Sequence, residues 1–332
     1  MKFIGVEKMK KLVTIITISL LCILAGCGKK TTKEKAFSSF KDAVTEAKSY
    51  KLDGQMNVLR SGGEVSFDIE VSYQAPSYYK VLYENKENNS RQVLLKNTDG
   101  VYVLTPELNK EFKFDSTWPA NSSHIYILDR ILADLDSDTE KKVSENDDYY
   151  ILTSKIAHKV KKDLVEQSVY LSKNDYSLKK VTYNTLQGPV MTFTVSKLVY
   201  GVTFGKSEFD VDAIMNSETS LMGEGSKVEV NKILFSDVIE EVSLKSSTVN
   251  NDTTVLTYEG AKNYFIIYGD AYESEVSTIE RVYSDFVLLY HGIGFVSSNC
   301  LTFYKNNKEF KIISNVLTLE EMVEVANSLQ MA

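Results

Sequence analysis

Val65-Ser66-Phe67-Asp68-Ile69-Glu70-Val71-Ser72-Tyr73 alternates apolar and polar residues without a break. A β-strand turns successive side chains to opposite faces, so this stretch predicts a strand with one apolar and one polar face. The pattern recurs on both sides. Leu52 to Leu59 alternates weakly, and Tyr79, Val81 and Tyr83, then Val93 and Leu95, then Val101 and Val103, continue it. Ser61-Gly62-Gly63, Lys86-Glu87-Asn88-Asn89, Thr98-Asp99-Gly100 and Asn109-Lys110 separate the runs with turn-forming residues. The series reads as an antiparallel meander. Val65, Phe67, Ile69, Val71 and Tyr73 form the more apolar face and are expected to point inward, where they would line any apolar cavity.

Two helices accompany the strands. Phe37, Phe40, Val44 and Ala47 recur at helical spacing within residues 36–49. Ser122 or Ser123 is expected to cap a second helix through about Leu135, with Ile127, Leu128, Ile131, Leu132 and Leu135 on one face. Strand signals resume at Tyr149 to Ser154, Leu164 to Leu171, Leu178 to Tyr183 and Val190 to Val199. Residues 215–231, rich in Ser, Glu and Gly, read as a linker. Beyond it, Thr253 to Tyr258 and Asn263 to Tyr268 flank Glu259-Gly260 as a hairpin, and Phe286 to Tyr290, Leu301 to Tyr304 and Phe310 to Ile313 are strand-like. Thr318-Leu319-Glu320-Glu321 is a capping box that opens a final helix with Leu319, Met322, Val323, Ala326 and Leu329 on its apolar stripe.

The N-terminus has the parts of an export signal. Lys8, Lys10 and Lys11 precede an uncharged apolar run from Leu12 to Ile23, and small residues lead to a cysteine. Leu24-Ala25-Gly26-Cys27 resembles the lipobox of bacterial lipoproteins. The resemblance implies diacylglycerol on Cys27 and cleavage before it. Two acyl chains hold a protein stably on a membrane, so the expected address is the outer face of the cell membrane. Either Met1 or Met9 can serve as the start. The expected division is a signal peptide over residues 1–26, a tether over 27–35, a first domain over 36–214, the linker over 215–231 and a small α+β domain over 232–332.

Composition agrees with this address. The 332 residues suggest about two domains, and 43% hydrophobic content is ample for packed cores. Formal net charge is −7; the first 26 residues hold four lysines and one glutamate, a net +3, so residues 27–332 carry −10. A chain this acidic is a poor partner for nucleic acid. Cys22 and Cys27 belong to the signal and the lipid, which leaves Cys300 without an internal disulfide partner.

Three local patterns carry a wider resemblance: Ala75-Pro76-Ser77-Tyr78-Tyr79-Lys80-Val81, Asn97 to Pro106 (NTDGVYVLTP), and Tyr170-Leu171 with Leu178-Lys179-Lys180 and Gln187-Gly188. In this order they resemble the LolA-like lipoprotein carriers over residues 36–211. Leu317-Thr318-Leu319-Glu320-Glu321-Met322 resembles the end of the two-domain sporulation lipoproteins of spore-forming Firmicutes, to whose first domain germination lipoproteins such as GerS are related. The resemblance implies a mainly β, α+β fold: a strongly curved antiparallel half-barrel packed on helices, followed by a small α+β domain. It also implies either a protein partner in the cell or spore envelope, such as a cortex-modifying amidase, or an acyl-chain ligand in the half-barrel. Carriers commonly place Arg where Lys80 stands, to latch a lid. Lysine lacks the bidentate fork, so ATP-driven lipoprotein shuttling is not expected.

Catalytic signatures are absent. No nucleophile elbow, P-loop, dinucleotide fingerprint or zinc motif occurs. His124, His158 and His291 are scattered, with no metal spacing. His291 and Cys300 read as packing residues rather than a thiol pair, and Asp134, Asp136, Asp138 and Glu140 lack the glycine and spacing of a calcium loop. The sequence therefore predicts no enzyme, no metal and no cofactor. The expected function is an anchored binding or scaffold protein of sporulation or germination, the alternative a carrier or binder of lipid or lipoprotein acyl chains.

Overall fold

A computed structural model describes residues 32–60, 63–87, 90–115, 117–118, 124–158, 160–222, 232–271, 278–282 and 285–331. The signal peptide, Cys27, Ser122 and Ser123 lie outside them. Helix α1 (Thr32–Glu46) leads into strands β1 to β6 (Ser49–Arg60, Gly63–Gln74, Tyr78–Asn85, Arg91–Lys96, Val101–Thr105 and Lys110–Phe114). Helix α2 (Leu128–Ser137) is followed by β7 to β11 (Lys142–Glu145, Tyr149–Lys155, Glu166–Ser172, Leu178–Thr185 and Gly188–Tyr200) and by α3 (Val211–Met222). The C-terminal part holds β12 (Ile233–Phe235), β13 to β15 (Val242–Asn250, Thr253–Gly260 and Tyr264–Asp270), β16 (Thr278–Val282), β17 to β20 (Asp285–Leu289, Gly292–Ser297, Cys300–Lys305 and Lys308–Ile313), α4 (Leu319–Asn327) and β21 (Leu329–Met331).

The expected meander is present. A sheet of 12 strands runs β16-β6-β5-β4-β3-β2-β1-β11-β10-β9-β8-β7, antiparallel throughout except for β16 against β6. The open ends of this order mean that the sheet is not closed on itself. Register follows the alternation: Val65, Phe67, Ile69 and Val71 face Val58, Met56, Gly54 and Leu52 across the β1–β2 pair. Gly54 sits at a register shift between β1 and β11, where a Cβ would come 2.5 Å from the Thr194 carbonyl and 2.6 Å from the Phe193 ring. Only glycine lets these strands approach so closely.

One face of the sheet is covered along most strands, and the other is covered at β3 to β5. On one side Ala36, Phe40 and Val44 of α1 and Leu128, Ile131, Leu132 and Leu135 of α2 join the buried residues of β1 to β5 in a single core. On the other, Ile214 and Met215 of α3, with Phe209, cover Leu82, Val93, Leu95, Tyr102 and Leu104. Arg91 bonds Glu84 at 2.6 Å and Glu218 of α3 at 2.8 Å, which fixes α3 over β4. The residues read as strictly alternating in β4 and β5 are therefore buried on both faces.

Three expectations need correction. The tether was expected through Lys35, but α1 already begins at Thr32, because Ala36 and Phe40 need the preceding turn to seat them in the core. The linker was expected from Met215, but residues 215–222 belong to α3, whose Ile214 and Met215 bury against the sheet. Burial of that short stripe outweighs the Ser- and Glu-rich composition; residues 223–231 lie outside the described part. Helix α2 starts at Leu128 rather than near Ser123, with Ile127 extended at its N-cap (φ −93°, ψ 111°) and no side-chain cap. Ile125, Tyr126 and Ile127 are fully buried, and an extended backbone lets all three reach the core.

The C-terminal sheet runs β13-β14-β15-β20-β19-β18-β17, with β12 and β21 as a separate pair. Asn306 and Asn307, both at positive φ (48° and 60°), make the tight turn between β19 and β20. Helix α4 begins with the expected box: Thr318 accepts from the Glu321 N–H while the Glu321 side chain accepts from the Thr318 N–H. Met322, Val323, Val325 and Ala326 pack on Leu289, Leu301, Phe303, Phe310 and Ile312. An aspartate at Met322, which is 4% exposed, would bury an unpaired charge. Met322→Asp is expected to cost on the order of 3 kcal/mol, read as a lower urea midpoint; an unchanged midpoint would mean that α4 is undocked in solution.

Candidate functional site

The concave side of the large sheet is where the family resemblance places a cavity, and most of it is filled. Val65, Ile69 and Val71 are fully buried in the core shared with α1 and α2. Tyr73 packs at the rim of that core, its ring 5.0 Å from Tyr50 and 4.7 Å from Tyr79. Of the five expected lining residues, Phe67 is among those that line the pocket at the seam described below.

The rest of the concavity is taken up by the chain's own C-terminal part. The β17–β18 hairpin faces two ways. Phe286, Leu288, Ile293 and Phe295 join the core of the large sheet, while Val287 and Leu289 join the core under α4. Phe295 lies 4.3 Å from Phe112 and 5.6 Å from Phe114, and Phe286 lies 5.4 Å from Phe114, ring centre to ring centre. Polar groups within this seam are paired. The Ile293 N–H donates to Gln92 Oε1 at 2.6 Å, Asn85 Nδ2 donates to the Tyr290 carbonyl at 2.9 Å, and the Tyr290 N–H donates to Asn327 Oδ1 at 2.8 Å. Gly292 has φ +138°, and a Cβ there would come 2.3 Å from Gln92 Oε1, so a side chain would push the hairpin off its clamp. β16 adds the parallel pairing with β6 at the sheet edge.

One pocket of about 150 Å³ remains at this seam. Met56, Val58, Phe67 and Met191 form its floor on the large sheet; Trp118, His124 and Tyr126 form one wall; β17 and one side of α4 form the other, with His158 and Lys161 at the side. Trp118 is held by Lys96, whose Nζ donates to its carbonyl at 2.8 Å, and by ring contacts to Tyr79 and Phe286. The Tyr126 hydroxyl bonds both Tyr83 and His124 Nδ1, the latter at 2.6 Å. His158 Nδ1 accepts from the backbone N–H of Val160 at 3.2 Å and Lys161 at 3.0 Å.

Burial sets the charge of these histidines. It pushes His124 from its ordinary 6.5 down to about 3, with His158 and Arg130 adding repulsion. Burial and the neighbouring Lys161 and Lys162 push His158 down to about 4. Both rings are neutral near pH 7, which suits an apolar pocket. The two lie 34 positions apart in the sequence, and only tertiary folding brings them to one pocket.

The remaining candidates are occupied elsewhere. His291 Nε2 bonds the Ala326 carbonyl at 2.8 Å and Cys300 lies 3.6 Å from the Thr302 hydroxyl, so the two serve separate packing contacts. Asp136 pairs with Lys41, Asp134 with Arg130 and Glu140 with Lys155, while Asp138 accepts the Lys155 N–H. Among the described residues no group of three or more His, Cys, Asp or Glu could hold a metal ion, and no described helix is long and apolar enough to cross a membrane. Lys80 forms a 2.6 Å ion pair with Glu208, to which Ser72 also donates. With Tyr79 and Val81 pointing into the core, this pair sits on the opposite face, away from the pocket.

The buried histidines make stability depend on pH. A group whose folded pKa lies below its unfolded value stabilises the fold above the unfolded pKa and loses that contribution as pH falls toward the folded one. His124, His158 and His291, the last also pushed to about 3, should each withdraw up to about 2 kcal/mol between pH 7 and about pH 5. Glu107, Asp134 and Glu324, raised by burial, work in the opposite sense, so a substitution isolates the histidine share. The loss of unfolding free energy over that range should be about 2 kcal/mol smaller in His124→Gln than in the parent; an identical loss would show that His124 is solvated.

No protein-family model matches the chain. Among solved structures, the Pseudomonas aeruginosa MucA/MucB complex aligns with TM-score 0.34 and 11% identity, covering 90% of this chain and 99% of that one. LolA superfamily protein NE2245 from Nitrosomonas europaea aligns with TM-score 0.31 and 11% identity, covering 55% of this chain and 99% of that one. Along its sequence, the chain is similar to sporulation protein YdcC of Bacillus subtilis strain 168, at 28% identity over 98% of both chains.

Proposed function

We propose that this protein is a membrane-anchored extracytoplasmic lipoprotein that works as a binding or scaffold protein in sporulation or germination, and that it is not an enzyme. Similarity to a sporulation protein over almost the full length supports the process. The Leu24-Ala25-Gly26-Cys27 ending supports the anchor and the outer face of the cell membrane. One observation favours a scaffold over an acyl-chain carrier: the concave face is packed by α1, α2 and the chain's own β17–β18 hairpin. The 150 Å³ left over is below the roughly 300–1,000 Å³ of ordinary small-molecule sites. A protein with no room for acyl chains acts through its surfaces, and a cortex-modifying enzyme of the envelope is the partner that the sequence resemblance suggests.

Two experiments test this reading. Cys27→Ala should shift the protein from the membrane fraction to the medium or leave an uncleaved precursor; full processing and retention on the membrane would remove the basis for the anchor. Ile69→Trp separates scaffold from carrier. In a filled core the larger ring overpacks and should cost roughly 1–3 kcal/mol, read from the urea midpoint of the soluble part. A variant of parental stability that had lost bound acyl chains would make the protein a lipid binder.

A further inference from the structure

The seam pocket has the size and lining of a site for one ring. An apolar cavity of about 150 Å³ is enough to bind benzene, and this pocket has that volume. Its lining is aromatic and sulfur-rich, with Phe67, Trp118, Phe286, Met56 and Met191; aromatic edges and thioethers both favour contact with a flat π-system. Two neutral imidazoles supply polarity without charge. His158 Nδ1 already accepts two backbone N–H groups, so the neutral ring carries its proton on Nε2 and has a donor to offer. A few placed polar groups in an apolar wall orient a ligand rather than merely admit it. Lys161 and Asp285 also lie among the lining residues, so the hydrogen bond from His158, and not the absence of charge, is what distinguishes a phenol here.

We propose that the pocket is a binding site for a single phenolic ring, packed between Phe67, Trp118 and Phe286 with its hydroxyl accepting from His158. The site is independent of the membrane anchor and of the identity of any protein partner. Its chemistry is that of a tyrosine side chain or of a free small phenol.

Trp118 is the one tryptophan of the chain and lies in the pocket wall, so its fluorescence reports occupancy directly. Titrating the mature full-length protein with p-cresol should give a saturable 1:1 change, and toluene should bind more weakly. His158→Leu should weaken p-cresol about 2–10-fold, the worth of one hydrogen bond, and leave toluene unchanged. Val58→Phe fills the floor and should abolish both. Far-UV circular dichroism checks that each variant is folded, and the titration of the unsubstituted protein stands whatever the variants do. N-acetyl-tyrosine amide separates the two sources: affinity equal to that of p-cresol assigns a tyrosine side chain, and exclusion of the amide assigns a free phenol. Absence of saturation with p-cresol would overturn the proposal. So would equal binding of p-cresol and toluene in parent and His158→Leu, or displacement of p-cresol by dodecanoate with higher affinity.

Discussion

A curved sheet with one apolar face must cover that face, and the fold turns on how this chain does it. Helices α1 and α2 cover part of the concave side. The rest is covered by a hairpin that belongs to the C-terminal part of the same chain. Phe112 and Phe114 at the end of the first meander would face water if Phe286, Ile293 and Phe295 were removed. Aromatic pairs of this kind contribute about 0.5–1.5 kcal/mol each beyond the area they bury. The two parts of the chain thus share a hydrophobic core along this hairpin, while residues 232–332 keep a second core of their own under α4.

The polar contacts of the seam give it register more than strength. Gln92 lies on the inner face of β4, where an apolar residue would be expected from its neighbour Leu94. Its amide accepts from Ile293 and donates to Thr105. A buried amide left unpaired costs about 1–3 kcal/mol, so the hairpin is held at the one position that satisfies Gln92. Gly292 at φ +138° completes the fit by letting the backbone approach. A purely apolar hairpin could slide by two residues and still bury its side chains; this one cannot.

Much of this was legible in the sequence. Strict alternation at Val65 to Tyr73 gave the strand, its inward face and its partners, because a period of two has only two possible faces and one was apolar. Asp99-Gly100 and the Thr318–Glu321 box marked a turn and a helix start through local chemistry that needs no tertiary context. The failures have a common cause. Thr32 to Lys35, Met215 to Met222 and Val242 to Asn250 have polar compositions, and their structure is imposed by a neighbour: the core under Ala36, the outer face under Met215, and pairing with β14. The pocket was invisible for a related reason. Its walls come from residues far apart in the chain, and neither His124 nor His158 has a neighbour in sequence that signals its role. Lys80 shows the limit of motif reading, since its ion pair with Glu208 lies on the face opposite to the cavity that the resemblance associates with it.

A carrier and a filled half-barrel also differ in what they must be able to do without a ligand. A carrier has to remain folded when empty, and an empty apolar cavity costs about 24 cal/mol per Å³. Space for several acyl chains would cost more than a typical domain's whole stability of about 5–15 kcal/mol unless a lid or water took it up. At the seam, this liability is a small pocket. At 150 Å³ the same coefficient gives at most about 4 kcal/mol, which the fold can sustain with the pocket empty. An occupant that fits would recover part of it, so filling the pocket stabilises the hairpin against the sheet. The seam is therefore the place where binding a small ring and holding the two parts of the chain together become the same physical event.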